Sequence, residues 1–178
     1  MDFMNEDEVG KGKSVNQSTG KKSVEEQARD YFVNDGLHCS EAIFKAFNEY
    51  LDLKLDEKTL RMATGLAAGL GKAGCSCGSI TSGALVISAL YGRISSEEDD
   101  QFMFDLSRQL HQRFTDIYQY SCCRILTRNV SWAQPDHVAL CSDYIYTASR
   151  IVREILEETE KTMRPSPPKG GELRPAVG

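Results

Sequence analysis

Six cysteines are the residues of this chain whose type and spacing could carry chemistry. They are Cys39, Cys75, Cys77, Cys122, Cys123 and Cys141. The first residues contain no apolar core of a signal peptide, so we expect a cytoplasmic protein, and structural disulfides are rare in that compartment. Metal binding or redox chemistry is then the better explanation for so many thiols. For any single cysteine, a small buried apolar residue is an equally good alternative.

Two of the cysteines stand where a helix is predicted to begin. At Cys39 and Cys77, free backbone N–H groups and the helix dipole would stabilise a thiolate and lower the pKa of the thiol. The thiolate is the form that both metal binding and nucleophilic redox chemistry need. Cys141 lies on the apolar face of the predicted last helix, and His137 lies one turn earlier on the same side.

The cysteine spacing excludes several well-known sites. Cys75 and Cys77 are too close for a CxxC zinc or thioredoxin motif, no CxxC occurs, and the lack of CxxCH excludes covalent haem. The spacings match no common ferredoxin or zinc-finger pattern. Cys122 and Cys123 could form a strained vicinal disulfide, but adjacent side chains of a helix point in different directions. We therefore expect one of the two to face the site.

The elements that must position these thiols have helical patterns, with no alternation of period two. Ser23 and Glu26 form a capping box for a first helix that ends near Gly36. A second helix begins near Cys39, and a third begins at 56–58 and continues into the small residues 65–71. These residues belong to a stretch, 63–92, that has Lys72 as its one charge.

The second half of the chain predicts further helices. One covers 79–91 and ends at Gly92, with Ala84, Ile87 and Leu90 inward. The acidic residues 97–99 favour the start of the next helix. Its apolar stripe is Phe102, Leu106, Leu110, Phe114 and Ile117. Residues 122–126 form a short turn, and Pro135 begins the last helix. The apolar face of that helix is Val138, Cys141, Ile145, Ala148, Val152 and Ile155.

These patterns predict an all-α, single-domain bundle of about six helices. We expect it to occupy residues 22–161, between a disordered lead-in at 1–21 and a disordered, Pro- and Gly-rich tail at 162–178. The net charge of −5 argues against nucleic acid as a partner. Residues 73–92 are uncharged, but their Ser, Thr, Gly and Cys content favours a buried helix over a membrane span. Small residues four apart indicate tight helix contact, and a homodimer stays open.

Several other residues are weaker candidates. His38 and His137 could complete a mixed Cys/His site, although a histidine at a helix start is more often a solvated cap. His111 is expected on the surface. The carboxylates at 97–100 fit a helix start better than a cation site. Trp132 is better explained as an apolar plug than as a ligand platform.

Four stretches of the chain resemble a known family. They are HCSEAIFKAF, GLAAGLGKAGCSCGSITSG, RFTDIYQYSCCRIL and LCSDYIYTASRIVREIL, and they are similar to the redox-active C-GCAxxG-C-C family. The resemblance covers roughly residues 22–156. It implies that the four family cysteines are Cys39, Cys77 (followed by Gly78), Cys123 and Cys141. Cys123 takes the third place because Arg124 and then a leucine follow it, as in the family.

Two positions depart from the family pattern, since Ser79 stands in place of Ala and Ser82 in place of Gly. Cys75 and Cys122 are extra cysteines and further candidate ligands. A relative of the family, the split-Soret cytochrome, joins a similar cysteine-rich domain to a haem-binding segment and is associated with an iron–sulfur centre. Only the cluster half of that analogy can apply to this chain.

The residues and the resemblance together predict a cytoplasmic redox protein. Cys39, Cys77, Cys123, Cys141 and the Gly78 backbone would hold an iron–sulfur cluster for electron transfer or redox sensing. In one alternative, the same four cysteines act without metal as a thiol–disulfide centre, with Cys77 attacking and Cys39 or Cys141 resolving. In another, they bind a structural zinc ion. An oxidoreductase and an electron carrier both stay open, and the redox partner protein is unknown.

Overall fold

The computed structural model describes residues 22–163, and these are all-α, which confirms the predicted fold class. In chain order the helices are α1 Val24–Val33, α2 Cys39–Tyr50, α3 Glu57–Arg61, a 3₁₀ helix Met62–Leu66, α4 Ala67–Leu70, α5 Gly78–Tyr91, α6 Gln101–Tyr118, α7 Cys123–Leu126 and α8 Pro135–Met163. The one β-type pairing in this part of the chain is an isolated antiparallel bridge between Ser76 and Cys122. No helix of residues 22–163 is long and apolar enough to cross a membrane.

The longest helix, α8, is the centre of the bundle. It packs against α1, α2, α5 and α6, and α2 packs in turn against α1 and α5. The predicted apolar stripe of α8 is largely correct, since Ile145, Ala148, Val152 and Ile155 are buried. Burial of such a stripe supplies most of the stability of an amphipathic helix. The long helices thus form a frame against which the shorter elements rest.

The helix starts follow the capping signals of the sequence. Ser23 Oγ accepts a hydrogen bond from the Glu26 N–H, and the Glu26 carboxylate accepts one from the Ser23 N–H, so the capping box is confirmed. Helix α1 ends at Val33, and Gly36 adopts a left-handed φ of 73° just beyond it. Helix α2 begins at Cys39, as predicted, and the Glu41 carboxylate accepts from the His38 N–H.

Close packing explains the small residues of α5. A methyl group at Gly83 would approach Leu110 Cδ2 to 2.6 Å and Val152 Cγ2 to 2.8 Å, so glycine there lets α5 pack closely against α6 and α8. Ser82 lies in the same helix with ordinary helical backbone and donates to the Ser40 carbonyl at 2.6 Å. Ser82, one of the two serines that depart from the family pattern, is therefore accommodated.

Several predicted boundaries differ in the structure. The third helix ends at Arg61 and does not continue into the small residues, which form the 3₁₀ helix and a left-handed turn. Helix α6 begins at Gln101, after the acidic residues rather than with them. The end members of two predicted stripes, Leu90, Phe102 and Ile117, are exposed.

The predicted domain, residues 22–161, lies within the described residues. Helix α8 continues to Met163, two residues into the predicted tail. The predicted lead-in at 1–21 and the rest of the tail, 164–178, lie outside the described residues.

Candidate functional site

A small cavity of about 50 Å³ lies where the shorter elements meet α2 and α8. Its wall contains Cys39, Cys77, Cys123 and Cys141, and we call it the four-cysteine cavity. The remaining wall residues are Phe32, His38, Ala68, Ser79, Leu126, Thr127, Trp132, His137 and Tyr144. The structure thus brings together four thiols from four separate elements.

Cys39 can lie beside Cys77 because the residue after Cys77 is a glycine, Gly78. Cys39 is the first residue of α2, and Cys77 directly precedes α5. A methyl group at Gly78 would overlap the Cys39 sulfur and would come within 3.2 Å of the Leu66 carbonyl oxygen. The glycine of the motif therefore leaves the space that the Cys39 sulfur fills.

Main-chain pairing holds Cys77 next to Cys123. The Cys77 N–H donates to the Ser121 carbonyl at 2.7 Å, and the Cys123 N–H donates to the Cys75 carbonyl at 2.6 Å. The Arg124 N–H donates to the Gly74 carbonyl at 3.0 Å, so 74–77 and 121–124 run side by side. Sequence reasoning missed this pairing, because the segments are too short to show a strand pattern.

A left-handed turn supports the Cys123 side of the cavity. Ala68, Gly69, Leu70, Gly71 and Lys72 have φ values between 54° and 70°. Such a run is costly for residues with a Cβ, at about 1–2 kcal/mol each, and tertiary contacts must maintain it. A methyl group at Gly69 would come within 2.8 Å of Cys123 Cβ and within 2.7 Å of the Cys75 nitrogen. The turn therefore packs directly on the two cysteine segments.

Cys141 faces a buried histidine. The Cys141 sulfur lies 3.7 Å from His137 Nε2, and His137 is 5 % exposed. Burial lowers the pKa of His137. Its ring packs on Trp132 with the centroids 4.6 Å apart. Trp132 is half exposed and covers this side of the cavity, as the predicted plug would.

Burial dominates the ionisation of the four thiols. It raises the pKa of Cys77 and of Cys141 to about 12, and it also raises the pKa of Cys39 and of Cys123. Negative charge on neighbouring thiolates raises the pKa of Cys77, Cys123 and Cys141 further, and the charge of Glu41 does so for Cys39. Hydrogen bonds partly lower the pKa of two thiols, from Ala68 and Ser40 for Cys39 and from Ser79 for Cys77. The predicted lowering of the pKa at the helix starts is therefore wrong for Cys39 and Cys77, since desolvation outweighs the helix N–H groups.

Of the other predicted candidates, Cys75, Cys122 and His111 lie off the cavity wall, whereas His38 belongs to it. Cys75 is exposed, and the Cys122 thiol donates to the Gly74 carbonyl at 3.1 Å; neither belongs to the cavity wall. All six cysteines are free thiols. His38 lines the cavity but is exposed, and His111 is on the surface.

Two polar wall residues were not predicted. The Tyr144 hydroxyl donates to the Leu126 carbonyl at 3.1 Å, and burial raises the pKa of Tyr144 to about 12. Ser79 is 1 % exposed, and its hydroxyl lies close enough to Cys77 to lower the pKa of that thiol, yet it makes no hydrogen bond of normal geometry. Tyr144 lies three residues after Cys141 on α8, a helical spacing that could have indicated it.

Thiols of this number suit an iron–sulfur cluster by donor type, because cysteine sulfur is the ligand such clusters take. Among residues 22–163, no three Cys, His, Asp or Glu side chains are arranged as a group that could hold a metal ion.

Comparison with known proteins gives one match. The family model described as "Putative redox-active protein (C_GCAxxG_C_C)" matches residues 37–155. The matched segment contains all six cysteines. Searches of curated proteins and of solved structures returned no match.

Proposed function

Because the chain belongs to the C_GCAxxG_C_C family, we propose that it is a redox protein whose redox centre is the four-cysteine cavity. The observation that carries the proposal is that Cys39, Cys77, Cys123 and Cys141 line one cavity although they come from distant parts of the chain. Thiol sulfur is the redox-active or metal-binding atom that such a cluster of side chains offers.

In the first form of the proposal, the four thiolates hold an iron–sulfur cluster, which would supply one-electron transfer. The backbone N–H groups of Ala68 and Ser40 lie against the Cys39 sulfur, and the N–H of Ser79 lies against the Cys77 sulfur. Hydrogen bonds to sulfur and burial are the means by which a protein adjusts the potential of such a cluster. Gly78 contributes by leaving room for the Cys39 sulfur.

The test of the first form is anaerobic purification followed by measurement of iron, acid-labile sulfide and visible absorption. We expect iron and sulfide in the wild-type protein and in Cys75→Ser, whose thiol lies off the cavity wall, and their loss in Cys141→Ser. Circular dichroism checks that Cys141→Ser is folded. Folded, colourless wild-type protein without iron or sulfide refutes the cluster, and stoichiometric zinc in place of iron identifies a structural zinc site.

The second form of the proposal is a thiol–disulfide centre without metal. It is favoured by the position of Cys123, which lines the enclosed cavity and also an open groove on the outside. Such a thiol can meet an external reagent and then pass the oxidation inward to a second cysteine.

Mass spectrometry after mild oxidation of the metal-free protein tests this second form. We expect one bridge among the four cavity cysteines that dithiothreitol removes. Random bridging, or a bridge that includes Cys75 as often as a cavity cysteine, contradicts it. A cytoplasmic location, a redox partner protein and a homodimer stay predictions of the sequence.

A further inference from the structure

The groove beside the cavity has a composition that suits a particular kind of reagent. It has a volume of about 300 Å³, and we call it the basic groove. Its wall residues are Ala68, Lys72, Ala73, Gly74, Cys123, Arg124, Thr127 and Trp132. Cys123 is the one cysteine on this wall among the described residues, and it belongs to the cavity wall as well.

Size separates the roles of the two spaces. The four-cysteine cavity, at about 50 Å³, has room for roughly three to five water-sized groups, too few for an organic molecule. The basic groove, at about 300 Å³, reaches the lower end of the range of roughly 300–1,000 Å³ that small-molecule sites occupy. Cys123 is the cavity thiol that also lines this larger space, so we expect a small organic reagent to meet it from the groove.

Charge selects the reagent. The Lys72 ammonium lies 5.5 Å from the centre of the Trp132 ring, and the Arg124 guanidinium donates to the Ala73 carbonyl at 2.7 Å. No acidic side chain of residues 22–163 lines the groove. Two cations without an acidic neighbour on the groove wall stand out in a chain of net charge −5, and they favour an anionic ligand.

We propose that the basic groove binds a small disulfide that carries carboxylate groups and presents one of its sulfur atoms to Cys123. The proposal rests on the second form of the proposed function, in which the cavity thiols act without metal. Lys72 and Arg124 attract the carboxylates, and the half-exposed Trp132 side chain on the groove wall packs against the apolar part of the ligand.

The reaction is a thiol–disulfide exchange. The Cys123 thiolate attacks one ligand sulfur, a new S–S bond forms between them, and the S–S bond of the ligand breaks. The departing half of the ligand leaves as a thiolate and takes up a proton. Since Cys123 gave up one proton to become a thiolate, the exchange releases no net proton. Cys123 is oxidised to the mixed disulfide, and the departing half is reduced. A second cavity thiol can then displace the bound half and form an internal bridge.

Two disulfides of similar size and opposite charge test the proposal. Metal-free protein is treated with dithiodipropionate, which is anionic, or with cystamine, which is cationic. The rate at which each modifies Cys123 is measured by peptide mass mapping and divided by its rate with free cysteine. We expect the anionic reagent to react faster at Cys123, with a ratio that falls about tenfold in Lys72→Glu.

Lys161→Glu is the matched control. Lys161 is exposed in the last turn of α8, and its substitution changes the net charge by the same amount. The proposal that the basic groove binds anions is wrong if dithiodipropionate and cystamine modify Cys123 at equal normalised rates. It is also wrong if Lys72→Glu and Lys161→Glu lower the ratio of these rates equally. If neither reagent modifies Cys123, the second form of the proposed function fails as well, so the two failures can be told apart.

Discussion

The helical frame and the segments around the cavity differ in how their backbones are determined. Helices α1 and α2 begin with capping hydrogen bonds, and the buried side chains of α1, α2, α5, α6 and α8 form one continuous core. The cavity segments at 67–77 and 121–127 have left-handed residues, one isolated bridge and two four-residue helices. Local sequence determines the frame, whereas the cavity segments depend on one another.

This difference shows where sequence changes will matter. In the frame, a substitution that keeps the side-chain volume and the apolar pattern is tolerated, because the core depends on many contacts rather than on one. Around the cavity, single glycines stand against a sulfur atom or against the backbone of another segment. A methyl group at those positions tests whether the cavity segments are as tightly interdependent as the structure indicates.

Gly69→Ala should have the largest effect. Its φ is +70°, and the new methyl group would lie 2.7–2.8 Å from the Cys75 backbone and from Cys123 Cβ. Left-handed strain and overpacking together should lower the free energy of unfolding by roughly 2–5 kcal/mol. Urea denaturation measures the loss, and Cys123 should also react faster with iodoacetamide because its support moves.

Gly71→Ala is the control for backbone strain alone. Gly71 has a φ of +57° but open space around it, so its substitution should cost only about 1–2 kcal/mol. Equal losses at the two positions would show that the turn does not press on the cysteine segments.

Gly78→Ala should come next in size. Its backbone is helical, so the cost arises from overlap with the Cys39 sulfur and should be roughly 1–3 kcal/mol. Gly65→Ala, which meets nothing within 4 Å, should change stability by less than about 0.5 kcal/mol. Gly83→Ala, in the frame, is a second control. It should lower the free energy of unfolding but leave the reactivity of the Cys39 thiol unchanged, whereas Gly78→Ala should alter both.

Alkaline pH should weaken the cavity before the frame. The pKa of Cys141 is about 12 in the folded protein, against an ordinary value of 9.0. Between these values the unfolded chain binds fewer protons than the folded one, so the free energy of unfolding falls as pH rises. Denaturation at pH 8–11 should show a shallower fall in Cys141→Ser than in the wild type. Cys75→Ser, at an exposed cysteine off the cavity wall, is the matched control for removal of a thiol.

The frame could be predicted because its signals are local. The capping box of Ser23 and Glu26, the start of α2 at Cys39 and the stripe of α8 each depend on spacing within one helix. The start of α6 was predicted too early for the same reason, since acidic residues favour a helix start but do not specify which residue begins it.

The cavity could be predicted only in part. The sequence indicated which cysteines to consider, but the left-handed φ of Ala68, Leu70 and Lys72 follows from contacts with distant segments, which no local pattern encodes. The thiol pKa values were predicted with the wrong sign for Cys39 and Cys77. A helix start is visible in the sequence, whereas the depth of burial that outweighs it is a property of the assembled fold.

A side-chain hydrogen bond links the frame to the cavity segments. Tyr144, on α8, donates its hydroxyl to the Leu126 carbonyl at the end of α7, and both residues line the cavity. Tyr144→Phe keeps the ring but removes this hydrogen bond, which should lower the free energy of unfolding by about 1 kcal/mol. Amide hydrogen exchange should then increase in α7 more than in α8, because α7 loses its hydrogen bond to Tyr144 while α8 keeps its packing. Tyr146→Phe, two residues along the same helix, is the control, and equal exchange in α7 for both variants would show that α7 is held by its own packing instead.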